Sequence, residues 1–509
     1  MAVQLLSLPP ELLLKFLEGL SVEDVVRVAQ TCSSLRSLVT SYKSSLCDTS
    51  NWHTLQLPFD RHPNTLSSEL LHSRAAESSK TSSHIANSPL GVRGCFYLPF
   101  SDVGLEDDPV NPPTNFFVHR NIIAFRSQSK LLVIRISNIE IDRRTIDFPL
   151  QRGDLRYHIA YQLSEDQSML CVASYAYHPK QKISSLQVRE IGVSDPAFGV
   201  TFSVFQIELP AVESPWESGF SNSVSVRDPY AVVVTCLDCT IVNWRRGTGM
   251  KFIFFEPAEE HLVPLHTNYL TSGITSVHFH PVESYMILSR TYSHGQGNAK
   301  FFIVDIPTDM TPLTRDMSDD SFWIIKYLRP HPLPSFTATA DDFNYRIFPK
   351  GFRRLPDSTW VFEAVAYGTS NMEGPLEQGI VEENRVFQVL YNVADWTYQT
   401  HFLNVKLTEQ EREFFYPMGN YKEGGQVIFP LLDLTREEGD YHVIFPEFGN
   451  GSGCDVGWVK LKVEGLRENK DSIEEVSYIE TWKAFFSAFN HATGSLYLCL
   501  PRGILIFKY

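Results

Sequence analysis

Imidazole and thiol side chains are the first groups in this chain that could do chemistry. His261, His266, His278, His280 and His294 fall near one another in sequence, and imidazole nitrogen is the commonest protein ligand for metals. His278 and His280 are two apart, which on a strand puts both on one face. Ordinary strand and loop histidines explain the group without a metal, and that is the expectation. Cys236 and Cys239 form the single C-x-x-C pair. Tetrahedral zinc needs a second such pair or a pair of histidines, and no second C-x-x-C exists. If Leu237 and Asp238 form the tip of a two-residue hairpin, the two thiols face each other across it, which is compatible with plain packing.

Carboxylates come in pairs at Asp319-Asp320, Asp341-Asp342 and Glu437-Glu438. Such pairs serve general acid–base catalysis when they line a cleft, but nothing in their spacing gathers them, so they read as solvated loops. The run Gly449-Asn450-Gly451-Ser452-Gly453 has no helix behind it and therefore no helix N-terminus to hold a phosphate. G-x-S-x-G, H-E-x-x-H and Walker sequences are absent, as is a G-x-G-x-x-G after a strand. The expectation is a non-catalytic chain with no cofactor and no metal.

Composition narrows the partners. The chain has 509 residues, 43% hydrophobic and 13% aromatic, which supports a large core and suggests two units of unequal size. A formal charge of -15 argues against holding nucleic acid or anionic membrane by bulk electrostatics. The arginine doublets at 143–144, 245–246 and 353–354 are expected to be solvated turns. Eight scattered cysteines fit free thiols in a reducing compartment. The leucines at the start are interrupted by Pro9, Pro10, Glu11 and Lys15, unlike a signal peptide, and no apolar run is long enough to span a membrane. These features lead to an expected cytosolic or nuclear location.

Three short helices are expected over residues 6–40. Leu8-Pro9-Pro10-Glu11 opens the first, proline being tolerated where a helix N–H has no partner. Leu12, Leu13, Phe16, Leu17 and Leu20 follow at helical spacing, and Gly19 marks the exit. Ser21 with Asp24 forms a capping-box-like start to a second helix carrying Val25, Val26, Val28 and Ala29. Cys32 and the Ser33-Ser34 pair precede a third with Leu35, Leu38 and Val39. So small a unit rarely hides its apolar surface alone. Either a second protein covers one face or the helices dock on the rest of the chain. Pattern alone leaves both open.

Residues 56–90 turn polar and serine-rich, with Leu66, Leu70, Leu71, Ala75 and Ala76 at the spacing of one connecting helix. From about residue 91 the texture becomes short β-rich runs punctuated by Pro, Gly, Asn and Asp. Pairs of runs recur at intervals suited to propeller blades. The clearest unit is 230–249, where a hairpin leads into Asn243-Trp244, similar to the Trp-Asp exit of WD-type blades. The last run, 503–509, suits closure of a ring by shared strands. Stacked sandwiches would also give strand after strand, whereas α/β folds need helices that are missing here. The expected fold is mainly β with a small all-α N-terminal unit: helices over 1–55, a connector over 56–90, and a β-propeller of about seven blades over 91–509.

The first of these units resembles an F-box. The resemblance rests on Leu8-Pro9-x-Glu11, the Leu12-Leu13 and Phe16-Leu17 pairs, Leu20, Asp24-Val25, the Cys32 turn, Leu35-Arg36-x-Leu38 and Trp52. Leu35 stands where the family usually has tryptophan, and Ser33 where it has a basic residue. F-box, connector and degenerate β-region together are similar in layout to a class of fungal F-box proteins. The resemblance implies that Leu8, Pro9, Leu12, Leu13, Phe16, Leu17, Leu20 and Val25 face a Skp-type adaptor and, through it, a cullin. It further implies that the chain is the substrate-recognition subunit of an SCF-type ubiquitin ligase, with its target on the propeller face. A propeller scaffold with no ligase role is the alternative.

Overall fold

The structure is a computed structural model. It describes residues 6, 8–49, 55, 63, 66–85, 94–103, 114–119, 121–127, 130–136, 141–147, 156–164, 166–178, 183–210, 223–235, 238–254, 273–292, 300–329, 343–355, 359–370, 385–403, 429–431, 442–444, 486–490, 495–500 and 503–508.

Five helices come first: α1 (Pro10–Leu17), α2 (Val22–Thr31), α3 (Ser33–Ser41), α4 (Ser44–Cys47) and α5 (Ser68–Ile85). Pro10 sits in the first turn of α1, where a missing N–H costs nothing. Gly19 takes φ +81° at the exit, a left-handed backbone that suits glycine. Ser21 caps α2 by accepting from the Asp24 backbone N–H at 3.1 Å, and its hydroxyl donates to the Asp24 carboxylate at 2.8 Å. Replacing Ser21 with Ala should lower the stability of the helical unit by about 1 kcal/mol. Urea unfolding followed by helical circular dichroism measures that difference.

The strands follow in chain order. β1 is Gly94–Pro99. Then come β2–β5 (Thr114–His119, Ile122–Ser127, Lys130–Ile136, Ile141–Asp147) and β6–β9 (Arg156–Leu163, Met169–His178, Ile183–Gly192, Thr201–Leu209). β10–β13 are Ser223–Arg227, Tyr230–Val234, Asp238–Asn243 and Thr248–Phe254, and β14–β16 are Gly273–Phe279, Tyr285–Tyr292 and Lys300–Asp305. After β17 (Thr311–Pro312) and β18 (Ile325–Leu328) come β19–β22 (Phe343–Arg354, Trp360–Ser370, Arg385–Asn392, Tyr398–Leu403). β23 and β24 are Phe429–Leu431 and His442–Ile444, and β25–β27 are Phe486–Asn490, Ser495–Leu500 and Gly503–Lys508.

Among the described residues these strands form seven sheets, none closed on itself. Most are antiparallel meanders of sequence neighbours, the arrangement that short loops allow. One sheet joins distant parts of the chain: β1 pairs with β27, Tyr97 opposite Leu505, in the order β1-β27-β26-β25. The first strands also follow one another in space, β2 touching β25 and β6, β10 touching β6 and β14, and β14 touching β19.

Neighbouring sheets pack face to face, and each junction buries its own apolar layer. Leu132 and Ile134 meet Tyr497 and Ile504, and Leu131 and Val133 meet Leu170 and Val172. Leu186 and Val188 meet Val233 and Val242. Farther along, Ile241 and Met250 meet Phe279 and Leu288, and Ile287 and Phe301 meet Phe362 and Val389. Strands buried on both faces explain why the runs at 231–234 and 131–134 are continuously apolar rather than alternating.

Residues 306–328 were not foreseen as an element. After β16 the chain returns across the preceding sheets. β17 pairs antiparallel with β13 and β18 pairs parallel with it. In between, the backbone N–H of Glu208 on β9 donates to Arg315 O at 2.9 Å and its carbonyl accepts from Met317 N at 3.1 Å. Met317 and Trp323 then plug the apolar layer between two sheets. The segment thus straps two sheets together.

Candidate functional site

Among the described residues, the imidazoles and thiols of the β-region are mostly held within its packing. His278, on β14, is buried; its Nε2 lies 2.9 Å from Ser276 Oγ and its ring packs edge-on against Phe362. His280 follows β14 in a turn. Its Nδ1 accepts from Val282 N and Glu283 N at 3.3 and 2.8 Å, and its ring lies among Tyr285, Phe352 and Trp360. Both rings are built into the packing between sheets. His261, His266 and His294 lie outside the described residues. No cluster of three or more His, Cys, Asp or Glu suited to a metal occurs among the described residues.

The cysteine hairpin has a different register from the expected one. Val234 pairs with Cys239, and Thr235 with Asp238 closes the turn. The Thr235 hydroxyl donates to the Asp238 carboxylate at 2.7 Å and accepts from its backbone N–H at 3.1 Å. Cys239 is therefore opposite a valine instead of a thiol. Cys239 is fully buried, and burial pushes its thiol well above the usual range, with Asp238 adding to the shift. Cys236 is outside the described residues.

The arginine doublets also need correction. Arg143-Arg144 lies on β5 and Arg353-Arg354 ends β19, so neither is a turn. Arg245 is in a turn but is held: its guanidinium donates to Asp228 at 2.8 Å and to Glu190 of the preceding sheet at 3.2 Å. Arg135 grips Asp195 at 2.9 and 3.1 Å, and Arg227 grips the carbonyls of His280 and Pro281 at 2.6 and 3.1 Å. Arg143 donates to the backbone oxygen of Asp102. Except for Arg245–Asp228, which lies within one sheet, these bonds link a sheet to its neighbour or to the turns beside it. A planar fork of fixed donors suits that task better than a lysine. Of the acidic pairs, Asp320 binds Lys251 at 2.6 Å while Asp319 caps a short turn through Ser321 N. Asp341-Asp342 and Glu437-Glu438 fall outside the described residues, as does the glycine cluster at 449–453.

The helical unit, like parts of the β-region, leaves large apolar groups in solvent, and here two of them, Leu12 and Phe16, lie on one short helix. Its core is formed by Leu13 and Leu17 of α1, Val22, Val25, Val26 and Ala29 of α2, and Leu38 and Val39 of α3, with Leu46, Leu55, Leu66, Leu71 and Ala75. Most members are helical, Leu55 and Leu66 lie outside the helices, and among the described residues none comes from a β-strand. The connector does not stand apart as a spacer: α5 packs on α2, α3 and α4 and completes their core through Leu71 and Ala75.

The eight residues singled out in the sequence separate on this basis. Leu13, Leu17 and Val25 are buried in the unit's own core, whereas Leu8 and Leu20 are half-buried beside it. Pro9, Leu12 and Phe16 are exposed, Leu12 at 47% and Phe16 at 63%. Positions 9, 12 and 16 follow the i, i+3, i+7 spacing of one helix face. Leu6 and Tyr42 are exposed too; neither was singled out, since a leucine next to masking prolines and a lone tyrosine carry no periodic signal.

Residues 5–55 match the F-box-like family model. An F-box-like domain therefore lies at the N-terminus, followed by a β-rich region. No curated protein matches the chain significantly. Similar solved structures include the WD40 domain of SCAP from fission yeast, at 8% identity over 78% of this chain and 82% of that one, TM-score 0.36. The β-propeller domain of the Trilobed protease from Pyrococcus furiosus shows 9% identity over 78% and 93%, TM-score 0.33. An alpha-L-arabinanase from Penicillium chrysogenum shows 8% over 82% and 97%, TM-score 0.33. Superpositions this loose carry no argument about activity or partners.

His72 gives the F-box-like domain and its connector a pH response. It lies on α5, and burial together with the nearby Arg36 guanidinium lowers its pKa below 6.5. A lowered value in the folded state means that the unfolded chain binds the proton more tightly, so stability falls as pH drops below 6.5. The loss of stability between pH 7 and pH 5 should be smaller in His72→Gln than in the wild type, as read by urea unfolding at each pH.

Proposed function

We propose that this chain is a substrate receptor of an SCF-type cullin ubiquitin ligase. Its F-box-like domain holds a Skp-type adaptor, and through it a cullin, with Pro9, Leu12 and Phe16 as anchors and Leu8 and Leu20 at their margin. The β-region recruits a target protein. One observation carries this reading: Leu12 and Phe16 stay in solvent although the unit's core is complete without them. Leu12 and Phe16 share one face of α1, and neighbouring exposed apolar groups of that kind mark an interaction site where single ones do not.

The seven sheets, their successive first strands and the β1–β27 pairing support a propeller of seven blades, with target recognition on the loops of one face. The ligation chemistry belongs to partner enzymes, and this chain supplies proximity. It would act in the cytosol or the nucleus. The propeller scaffold without a ligase role requires the β-region to complete the helices' apolar core; among the described residues that core takes nothing from a β-strand, which favours the receptor instead.

Reconstitution tests the proposal. The full chain mixed with recombinant Skp-type adaptor and the cullin N-terminal region should co-elute as one species in size-exclusion chromatography. Separate elution of chain and adaptor at micromolar concentration would remove the receptor reading.

A further inference from the structure

α5 does more than complete the helical core, because one of its buried side chains reaches the β-region. Arg74 is 7% exposed. Its Nη1 meets Glu77 Oε2 of the same helix at 3.4 Å, and its Nη2 lies 3.0 Å from Nε2 of His119, the last residue of β2. Guanidinium nitrogens only donate, so Nε2 must accept. The His119 ring in turn lies 6.3 Å from the Phe117 ring. Leu71 and Ala75, on the same helix, are sunk in the core of the F-box-like domain. A single rigid helix thus holds the helical unit by its apolar side chains and the β-region by a buried polar one.

We propose that the Arg74–His119 hydrogen bond is a positioning contact that sets the direction in which the β-region points from the F-box-like domain. The proposal rests on the receptor reading for its purpose, since a target is presented to the ligase only at a fixed attitude to the adaptor. A charge-assisted bond at a part-buried site is directional and costly to leave half-made, which an apolar contact is not. Glu77 shares the guanidinium and keeps its fork oriented.

The test uses the full chain with two fluorophores on unnatural residues at Ser37 of α3 and Thr145 of β5, both exposed, free and with recombinant Skp-type adaptor. The wild type should show one narrow distance. Arg74→Met and His119→Leu should lose it, giving a broad or split distribution, while His119→Gln, whose amide oxygen can accept from the guanidinium, should keep it. Adaptor affinity should be unchanged in His119→Leu. A wild-type distance in His119→Leu, or equal broadening in His119→Gln, overturns the proposal. If Arg74→Met unfolds the helical unit, the two His119 variants still decide, because that residue is outside the helical core. A wild type that binds no adaptor defeats the receptor reading, and the free chain's distances then judge the joint alone.

Discussion

Replacing Leu12 and Phe16 together with aspartate is expected to abolish adaptor capture while the chain stays folded. Both side chains are exposed in the free protein, so a charge there finds water and the core of the unit is untouched. In a complex the same charges would be driven into an apolar interface without partners. Anchors of this type contribute about 2 kcal/mol or more each, so the double variant should weaken binding by roughly a thousandfold. Isothermal titration with the recombinant adaptor, with helical circular dichroism as the folding control, measures it. Leu17→Asp supplies the contrast: it buries a charge in the core of the unit and should unfold the helices, losing adaptor by a different route. Full adaptor affinity in the folded Leu12/Phe16 variant would sink the proposed face.

Truncating Phe507 to alanine should be the most damaging single change in the β-region. Phe507 is fully buried on β27, opposite Cys95 of β1 on one side and Leu496 of β26 on the other. Removing a buried phenylalanine costs about 3–5 kcal/mol, a large share of the 5–15 kcal/mol that holds a typical domain. Because β27 is the strand on which the two ends of the β-region meet, the loss should first loosen β1. Hydrogen exchange should therefore rise at residues 94–99 before it rises at 169–192. Tyr327→Ala, at 69% exposure on β18, should leave the urea midpoint nearly unchanged. A Phe507→Ala midpoint indistinguishable from that of Tyr327→Ala would mean that the β1–β27 sheet does not hold the region together.

Much of this architecture could be read from residue order, and the reason is local. The starts of α1 and α2 depend on Pro10 and on Ser21 with Asp24, groups that act within three or four residues. Strands at 122–127, 130–136, 169–178 and 230–234 were visible because burial on both faces leaves nearly continuous apolar runs rich in β-branched and aromatic residues. β9 was missed: Phe202 and Val204 are exposed while Ile207 and Leu209 are buried, so its pattern changes along its length. The strap at 306–328 was missed as well, because its value lies in Met317 and Trp323 filling a layer built by residues a hundred positions earlier.

At the candidate site, the chain's order of residues settled which side chains were apolar and that they lay on one short helix. It could not divide them into an inner and an outer set, because Leu12 and Leu13 are chemically alike and adjacent. That division depends on the core that Leu13 and Leu17 share with the other helices, a core that also takes Leu71 and Ala75 from beyond the family-matched segment. The same holds for Arg245 and Arg74, which look like solvated charges until a neighbouring sheet or strand brings Glu190 or His119 within reach. Periodicity is a property of consecutive residues; partners across a fold are set by where the chain returns, and that is known only once it has folded.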